Sequence, residues 1–266
     1  MTAGGIVAVE AFLIFLSLIL STIVISAGLR ILLNGDIKLW EAVRLNCVAT
    51  ALNKIFFTGT GYAALSWKLK KDNIPYHKTL SALALIELSI SLPWIACGLF
   101  FGVRVGWEAP LIFLGAIGLI AVFLAVRKNK IKDFLGKIFG YLKDIAPNIM
   151  GFIPVISLNF LLGWGYYFLL FKTFGLSISI FDVLEVVSVA FSAGYLSPIP
   201  SGLGIKDSGI IYMLMKHGVP FKNALIIAMA DRGIVTGLYL ILGFLFGADI
   251  IRQEIKSKFK RRVREK

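Results

Sequence analysis

Cysteine and histidine are almost missing from this chain, with two of each in 266 residues. Cys47 and Cys97 lie in apolar surroundings without CxxC spacing, which excludes a disulfide framework and leaves no metal-ligand set. His77 and His217 each stand close to a loop before a proline and read as interfacial rather than catalytic. Carboxylates are scarce too, 15 Asp and Glu against 28 Lys and Arg. No DxD-like pair or long polar loop is present to support metal-assisted sugar transfer. GxxxxGK[ST] is also absent, so no P-loop and no cofactor is expected.

What fills the chain instead is hydrocarbon, 58% of residues being hydrophobic and only 16% charged. Charge-free apolar windows run over 11–29, 88–103, 109–126, 145–171, 186–205 and 233–248. Several reach the roughly 20 residues that cross a bilayer core, and six of them exceed what a soluble core of this size can bury. The expected fold class is therefore all-α: a polytopic helical membrane protein, multi-pass in the cell membrane. The segment 11–33 is too long for the apolar part of a signal peptide and starts without Lys or Arg, so it is expected to stay as the first span.

The net charge of +13 would suggest nucleic acid in a soluble protein, but 18 of the 28 basic residues fall in three patches. Lys68, Lys70, Lys71 and Lys78 form the first. Arg127, Lys128, Lys130, Lys132, Lys137 and Lys143 form the second, and 252–266 the third. Beside apolar spans this is the positive-inside signal, so the expected partner is anionic membrane lipid and not nucleic acid. Within a linker over 127–148, the segment 129–144 reads as an amphipathic helix on the cytoplasmic surface, and 249–266 as a basic cytoplasmic tail. Trp40, Trp67, Trp107, Tyr166 and Tyr167 read by default as belt or core residues, with the lining of a lipid-facing groove as the alternative.

The chain also repeats itself. Phe57, Thr58, Gly59, Thr60 and Gly61 are echoed by Pro200, Ser201, Gly202, Leu203 and Gly204. Each run is followed by an Ile/Val-Pro-aromatic unit at 74–76 and 219–221, and each proline by an ionisable residue twelve positions on, Glu87 and Arg232. Internal repeats over 41–101 and 182–248 are expected. With the basic patches cytoplasmic, spans trace over 10–33, 42–57, 79–101, 109–126, 149–171, 182–196 and 221–248. The short segments 59–67 and 202–215 either cross or re-enter, with the N-terminus outside and the C-terminus inside. The repeats then run in opposite senses, the inverted-topology plan of many transporters, with short broken helices at the site.

The candidate binding residues are Asn53, Thr58, Gly59, Gly61, Glu87, Ser201, Gly202, Gly204, Lys206, Asp207, Asp231 and Arg232. Ser201 is placed to cap a helix starting at Gly202, whose free N–H groups and small residues admit an anion. Each ionised side chain at mid-helix costs about 2.5–3.5 kcal/mol on insertion scales, so the four charges must pair, face a cavity or meet a charged ligand. Asp207 is expected to pair with Arg232, leaving Lys206 to attract the anion. Asn46, Asn53 and Lys54 share a helix face leading to the first glycine run, and Glu87 is expected to meet Arg232 near the axis relating the repeats. The blander reading is interhelical bonding or snorkelling at the interface.

Pro200 to Asp207, with Gly218, Val219, Pro220 and Arg232, resembles the membrane domain of the lysylphosphatidylglycerol synthase and flippase-like family. That family carries a Pro-Gly-Gly-Leu-Gly-Val-Arg-Glu stretch, then a Gly-Val and an Arg. Here Ser201 replaces the first glycine, Gly202, Leu203 and Gly204 match, Ile205 replaces Val, and Lys206 and Asp207 keep the basic and acidic characters. Arg30, Leu32 and Leu33 resemble its arginine and paired leucines after the early span, and Thr60 stands where a basic residue is usual. The resemblance implies lipid handling, of aminoacylated phospholipids or in pathways that build polyprenyl-linked sugars. No soluble aminoacyl-transfer domain is found in this sequence, so a flippase-like transporter of an anionic phospholipid or polyprenyl phosphate is favoured over an enzyme. The competing readings are a membrane glycosyltransferase or accessory protein of lipid-linked glycan synthesis, and a non-transporting scaffold whose basic tail recruits a biosynthetic enzyme partner.

Overall fold

The computed structural model describes residues 3–56, 59–105, 148–197 and 202–264. The expected span over 109–126, the linker up to residue 147, Trp107, Thr58 and Ser201 lie outside the described residues, as do the side chains of the basic tail beyond residue 250. Eight helices form among the described residues: α1 (Ala3–Leu32), α2 (Leu39–Ile55), α3 (Thr60–Lys71), α4 (Tyr76–Val105), α5 (Ile149–Thr173), α6 (Ile180–Leu196), α7 (Ile205–Lys216) and α8 (Phe221–Arg264). The protein is a polytopic helical membrane protein. Four stretches are long and apolar enough to cross a bilayer: Ala8–Leu32, Tyr76–Gly102, Ile149–Thr173 and Phe221–Ala248.

Between these spans lie two helix-break-helix pairs of matching size. The α2–α3 pair has 17 and 12 residues, and so has the α6–α7 pair. Glycine makes both breaks: Gly59 precedes α3 at φ 102° and Gly204 precedes α7 at φ 80°, values that a side chain would strain. Each pair folds back on itself. In the first, a Cβ on Gly61 would lie 1.8 Å from the Ala49 carbonyl; in the second, a Cβ on Gly209 would lie 2.9 Å from the Ala190 backbone. The segments expected as spans over 42–57 and 182–196 are the longer arms of these helix-break-helix pairs. A 17-residue helix rises only about 25 Å. The tips also stop beside Glu87 and Arg232, near the middle of the α4 and α8 spans.

The two halves make matching contacts at two closely similar offsets. Glu87 and Arg232 are 145 positions apart, as are Gly98 and Gly243, while the hairpin arms α2 and α6 are offset by 141. Helix α4 packs on α6 of the other half, and α8 packs reciprocally on α2. Both crossings depend on absent side chains: a Cβ on Gly98 would fall 2.0 Å from Ser192 Oγ and 2.5 Å from the Ser188 carbonyl. A Cβ on Gly243 would fall 2.3 Å from the Ala51 Cβ and 3.3 Å from the Cys47 carbonyl, the equivalent positions. Close backbone approach of this kind supplies packing where lipid gives no hydrophobic drive. Ser192 adds a hydrogen bond to the Trp94 carbonyl across the α4–α6 contact, at 3.0 Å.

The rest of the packing is divided between two apolar clusters. Leu29, Leu32 and Leu33 meet Leu65, Leu69 and Leu83 in one. Tyr166, Tyr167, Val186 and Val187 meet Ile210, Met213 and Ile227 in the other. Helices α1 and α5 pack along each other, with Ser21 Oγ donating to Asn159 Oδ1 at 2.7 Å. Asn46 donates to Ser26 at 3.3 Å, an interhelical bond of the bland kind.

Gly98→Ala and Gly243→Ala are each expected to destabilise the protein by about 1–3 kcal/mol through overpacking. Thermal unfolding in detergent should show a lower midpoint for both, and none for Gly165→Ala, whose Cβ would meet nothing within 4 Å.

Candidate functional site

A cavity of about 550 Å³ lies between the two hairpin tips, with walls from both halves. Asn53, Lys54, Tyr62 and Glu87 come from the first half, and Tyr195, Gly202, Lys206 and Arg232 from the second. Corresponding positions play like parts in the two halves: Tyr62 and Asp207 each stand in the first turn of a short helix and each bond the ionisable residue 25 positions further on. Tyr62 donates to Glu87 Oε1 in the first half. In the second, Arg232 grips Asp207 with Nη2 at 2.6 Å from Oδ2 and Nε at 3.2 Å from Oδ1. That fork is the strong geometry for a guanidinium and a carboxylate, and it is the expected pair.

Lys206 is not left unpaired, contrary to expectation. Its Nζ lies 2.7 Å from Asp231 Oδ2 and also donates to the Tyr167 hydroxyl at 3.2 Å. Asp231 is fully buried and accepts a further bond from the Tyr166 hydroxyl at 3.0 Å. A carboxylate so far from water would be expelled without these partners. Of the alternatives open for Tyr166 and Tyr167, core duty is the one found: they are 2% and 3% exposed and secure Asp231 and Lys206.

The helix starts also differ from expectation. The α7 helix begins at Ile205, not Gly202, because Gly202 at φ 59° and Gly204 at φ 80° hold a turn ahead of it. Its first-turn carboxylate is the chain's own: Asp207 Oδ2 accepts from the Gly204 N–H at 3.1 Å. The α3 start is occupied similarly, since Asn53 Oδ1 accepts from Gly59 N at 3.0 Å and Gly61 N at 2.8 Å. Glu87 and Arg232 line one cavity but form no ion pair with each other among the described residues.

The cations nonetheless dominate the wall. Lys54, Lys206 and Arg232 line the cavity with one carboxylate, Glu87, whereas Asp207 and Asp231 are set behind it. Lys206 is additionally flanked by the Phe191 ring, 5.0 Å from its centroid. A metal set, absent from the sequence reading, does come together elsewhere: ligand atoms of Asp182, Glu185 and His217 lie within 4.8 Å of one another. Asp182 there is engaged by Ser179, whose N–H and Oγ donate to it at 3.2 Å and 2.7 Å.

Residues 2–243 match the lysylphosphatidylglycerol synthase TM region, a stretch that contains both hairpins and every residue of the cavity. The chain belongs to that family. No curated protein and no solved structure matches it.

In this member of the lysylphosphatidylglycerol synthase TM region family, sequence reasoning missed Tyr62, Trp94, Asn159 and Tyr195, all of which line the cavity. A signal for Tyr62 was present, because the 145-residue offset places it opposite Asp207. Asn159 and Trp94 carry none, since one polar residue or tryptophan in an apolar helix does not reveal which face is buried.

Removing one member of a buried pair costs about 3–5 kcal/mol by stranding the other charge. Asp231→Leu is expected to destabilise the protein on that scale, and Lys206→Met combined with it to recover most of the loss. Unfolding midpoints of the two single variants and the double variant measure the coupling.

Proposed function

We propose that this protein is a flippase-like transporter of the cell membrane, admitting the headgroup of an anionic phospholipid or polyprenyl phosphate while its tails stay in lipid. The observation that carries this reading is the cation-rich wall at mid-span, where Lys54, Lys206 and Arg232 face the cavity and their aspartates stand behind. An anion entering there meets positive charge without first displacing a carboxylate from the wall. Low local dielectric strengthens that attraction.

The duplicated hairpins support the second half of the proposal. Inverted repeats related about a central site let one half rock against the other, exposing the same cavity to each leaflet in turn. On this reading Gly59, Gly61, Gly202 and Gly204 shape the tips, Asn53 holds the first, and Asp207 and Asp231 position Arg232 and Lys206. The basic patches are cytoplasmic and gather anionic lipid, with the amphipathic linker and tail at that surface.

Lys206→Gln and Arg232→Gln are each expected to slow movement of an anionic lipid headgroup in proteoliposomes by about tenfold or more, the scale of a lost charge-assisted hydrogen bond. Size-exclusion profiles check that the variants remain folded. Normal movement in both folded variants would overturn the assignment.

A further inference from the structure

The ionised side chains of the site divide evenly by sign, Lys54, Lys206 and Arg232 against Glu87, Asp207 and Asp231, and four of them are closed into pairs. Lys206 holds Asp231 at 2.7 Å and Arg232 holds Asp207 at 2.6 Å, so each pair is neutral as it stands. Lys54 and Glu87 are the remainder. Both line the cavity, and their charges interact without an ion pair between them. Lys54 makes no hydrogen bond or ion pair among the described residues. Glu87 has one bond, donated by the Tyr62 hydroxyl.

The groups around Glu87 offer it no cation of its own. Tyr62 reaches it from α3, and Tyr195 interacts with it from α6. Helices α1 and α5, which also pack on α4, bring Ser17, Ser21, Asn159, Tyr166 and Tyr167 to the cavity. Both of those tyrosine hydroxyls serve the Lys206–Asp231 pair. Lys206 of α7 and Arg232 of α8 stand on the same wall, each with its own carboxylate.

The charges of the site thus cancel before any ligand enters. An incoming anion is drawn to Lys54, the cation outside both pairs, and then shares one low-dielectric space with the Glu87 carboxylate. Two like charges in such a space favour protonation of one of them. A proton on Glu87 restores the balance, and it sacrifices no hydrogen bond. Tyr62 donates to the carbonyl oxygen of the acid as it does to the carboxylate, and the new O–H is a donor for the anion.

Resting on the headgroup reading above, we infer that Glu87 is the binding site of a co-transported proton, taken from water onto its carboxylate with each anionic headgroup that enters and released with it on the far side. The protein is then an anion–proton symporter whose loaded and unloaded cavities carry the same net charge.

Decyl methyl phosphate, a phosphodiester that stays singly charged over the range used, is titrated calorimetrically into the full chain in phosphatidylcholine nanodiscs from about pH 5 to 9. Paired buffers of different ionisation enthalpy count the protons taken up. About one proton per ester is expected within that range, with affinity falling about tenfold per pH unit where the count is one. Glu87→Gln keeps the shape of the neutral acid. It is expected to take up no proton and, at alkaline pH, to bind the ester about tenfold or more tightly than the unaltered chain. Tyr62→Phe removes a donor that favours the carboxylate, so the pH of greatest uptake should rise by about one unit with the count unchanged. This second variant reads Glu87 if Glu87→Gln does not fold. In proteoliposomes containing phosphatidylglycerol, a pH gradient should drive that lipid toward the alkaline leaflet with the unaltered chain and not with Glu87→Gln. Binding without proton uptake overturns the inference and leaves the headgroup reading standing. So does uptake or lipid accumulation that persists in folded Glu87→Gln, or an unmoved profile in folded Tyr62→Phe. If the ester binds at no pH, the headgroup reading fails and this inference with it.

Discussion

Two ion pairs between the first turn of α7 and the middle of α8 set the terms for everything around them. Lys206, Asp207, Asp231 and Arg232, left alone at mid-helix, would together cost on the order of 10 kcal/mol, comparable with the entire net stability of a typical domain. The chain can hold them at that depth only because each finds a partner at 2.6–2.7 Å and Asp231 gains a tyrosine hydroxyl as well. That requirement fixes the height of the α7 start against α8. It also fixes the approach of α5, whose adjacent tyrosines reach Asp231 and Lys206 from a third side.

From this constraint follows the position of the cavity. A helix that starts halfway along its neighbours leaves space beyond its N-terminus, and the two hairpins leave that space from two directions. Glycine is needed at both turns for backbone reasons, and a side-chain oxygen, from Asn53 or Asp207, quiets the exposed N–H groups at each tip. With those groups satisfied internally, the cavity wall is left to side chains, Lys54, Lys206 and Arg232 among them.

Much of this was legible from spacing. The shared interval from Pro75 to Glu87 and from Pro220 to Arg232 marks the two stretches that carry the helix-break-helix pairs, and the span expected over 149–171 coincides with α5 to within two residues. The Asp207–Arg232 pair also follows from charge scarcity in an apolar segment. What spacing does not give is direction. Asp231 and Arg232 are consecutive, so they project about 100° apart on α8, and only the packing of α7 decides which aspartate meets Lys206. Tyr166 and Tyr167 illustrate the same loss: an aromatic pair in an apolar helix has one hydropathy whether it faces lipid or protein. The α7 start was misplaced by three residues because two glycines in a left-handed turn resemble the opening of a helix when only their size is considered.

The reciprocal seating of α4 on α6 and of α8 on α2 carries an evolutionary consequence. A single ancestral unit with these contacts would have been completed only by a second copy of itself, the two sharing one cavity across their symmetry axis. In such a homodimer both copies must carry the same residue, so the position now divided between Glu87 and Arg232 would have set two like charges around a common space. A single chain that carries both units is free of that restriction, and here one position is acidic and its counterpart basic. Opposite charges at paired positions require two non-identical units, and one polypeptide supplies both here.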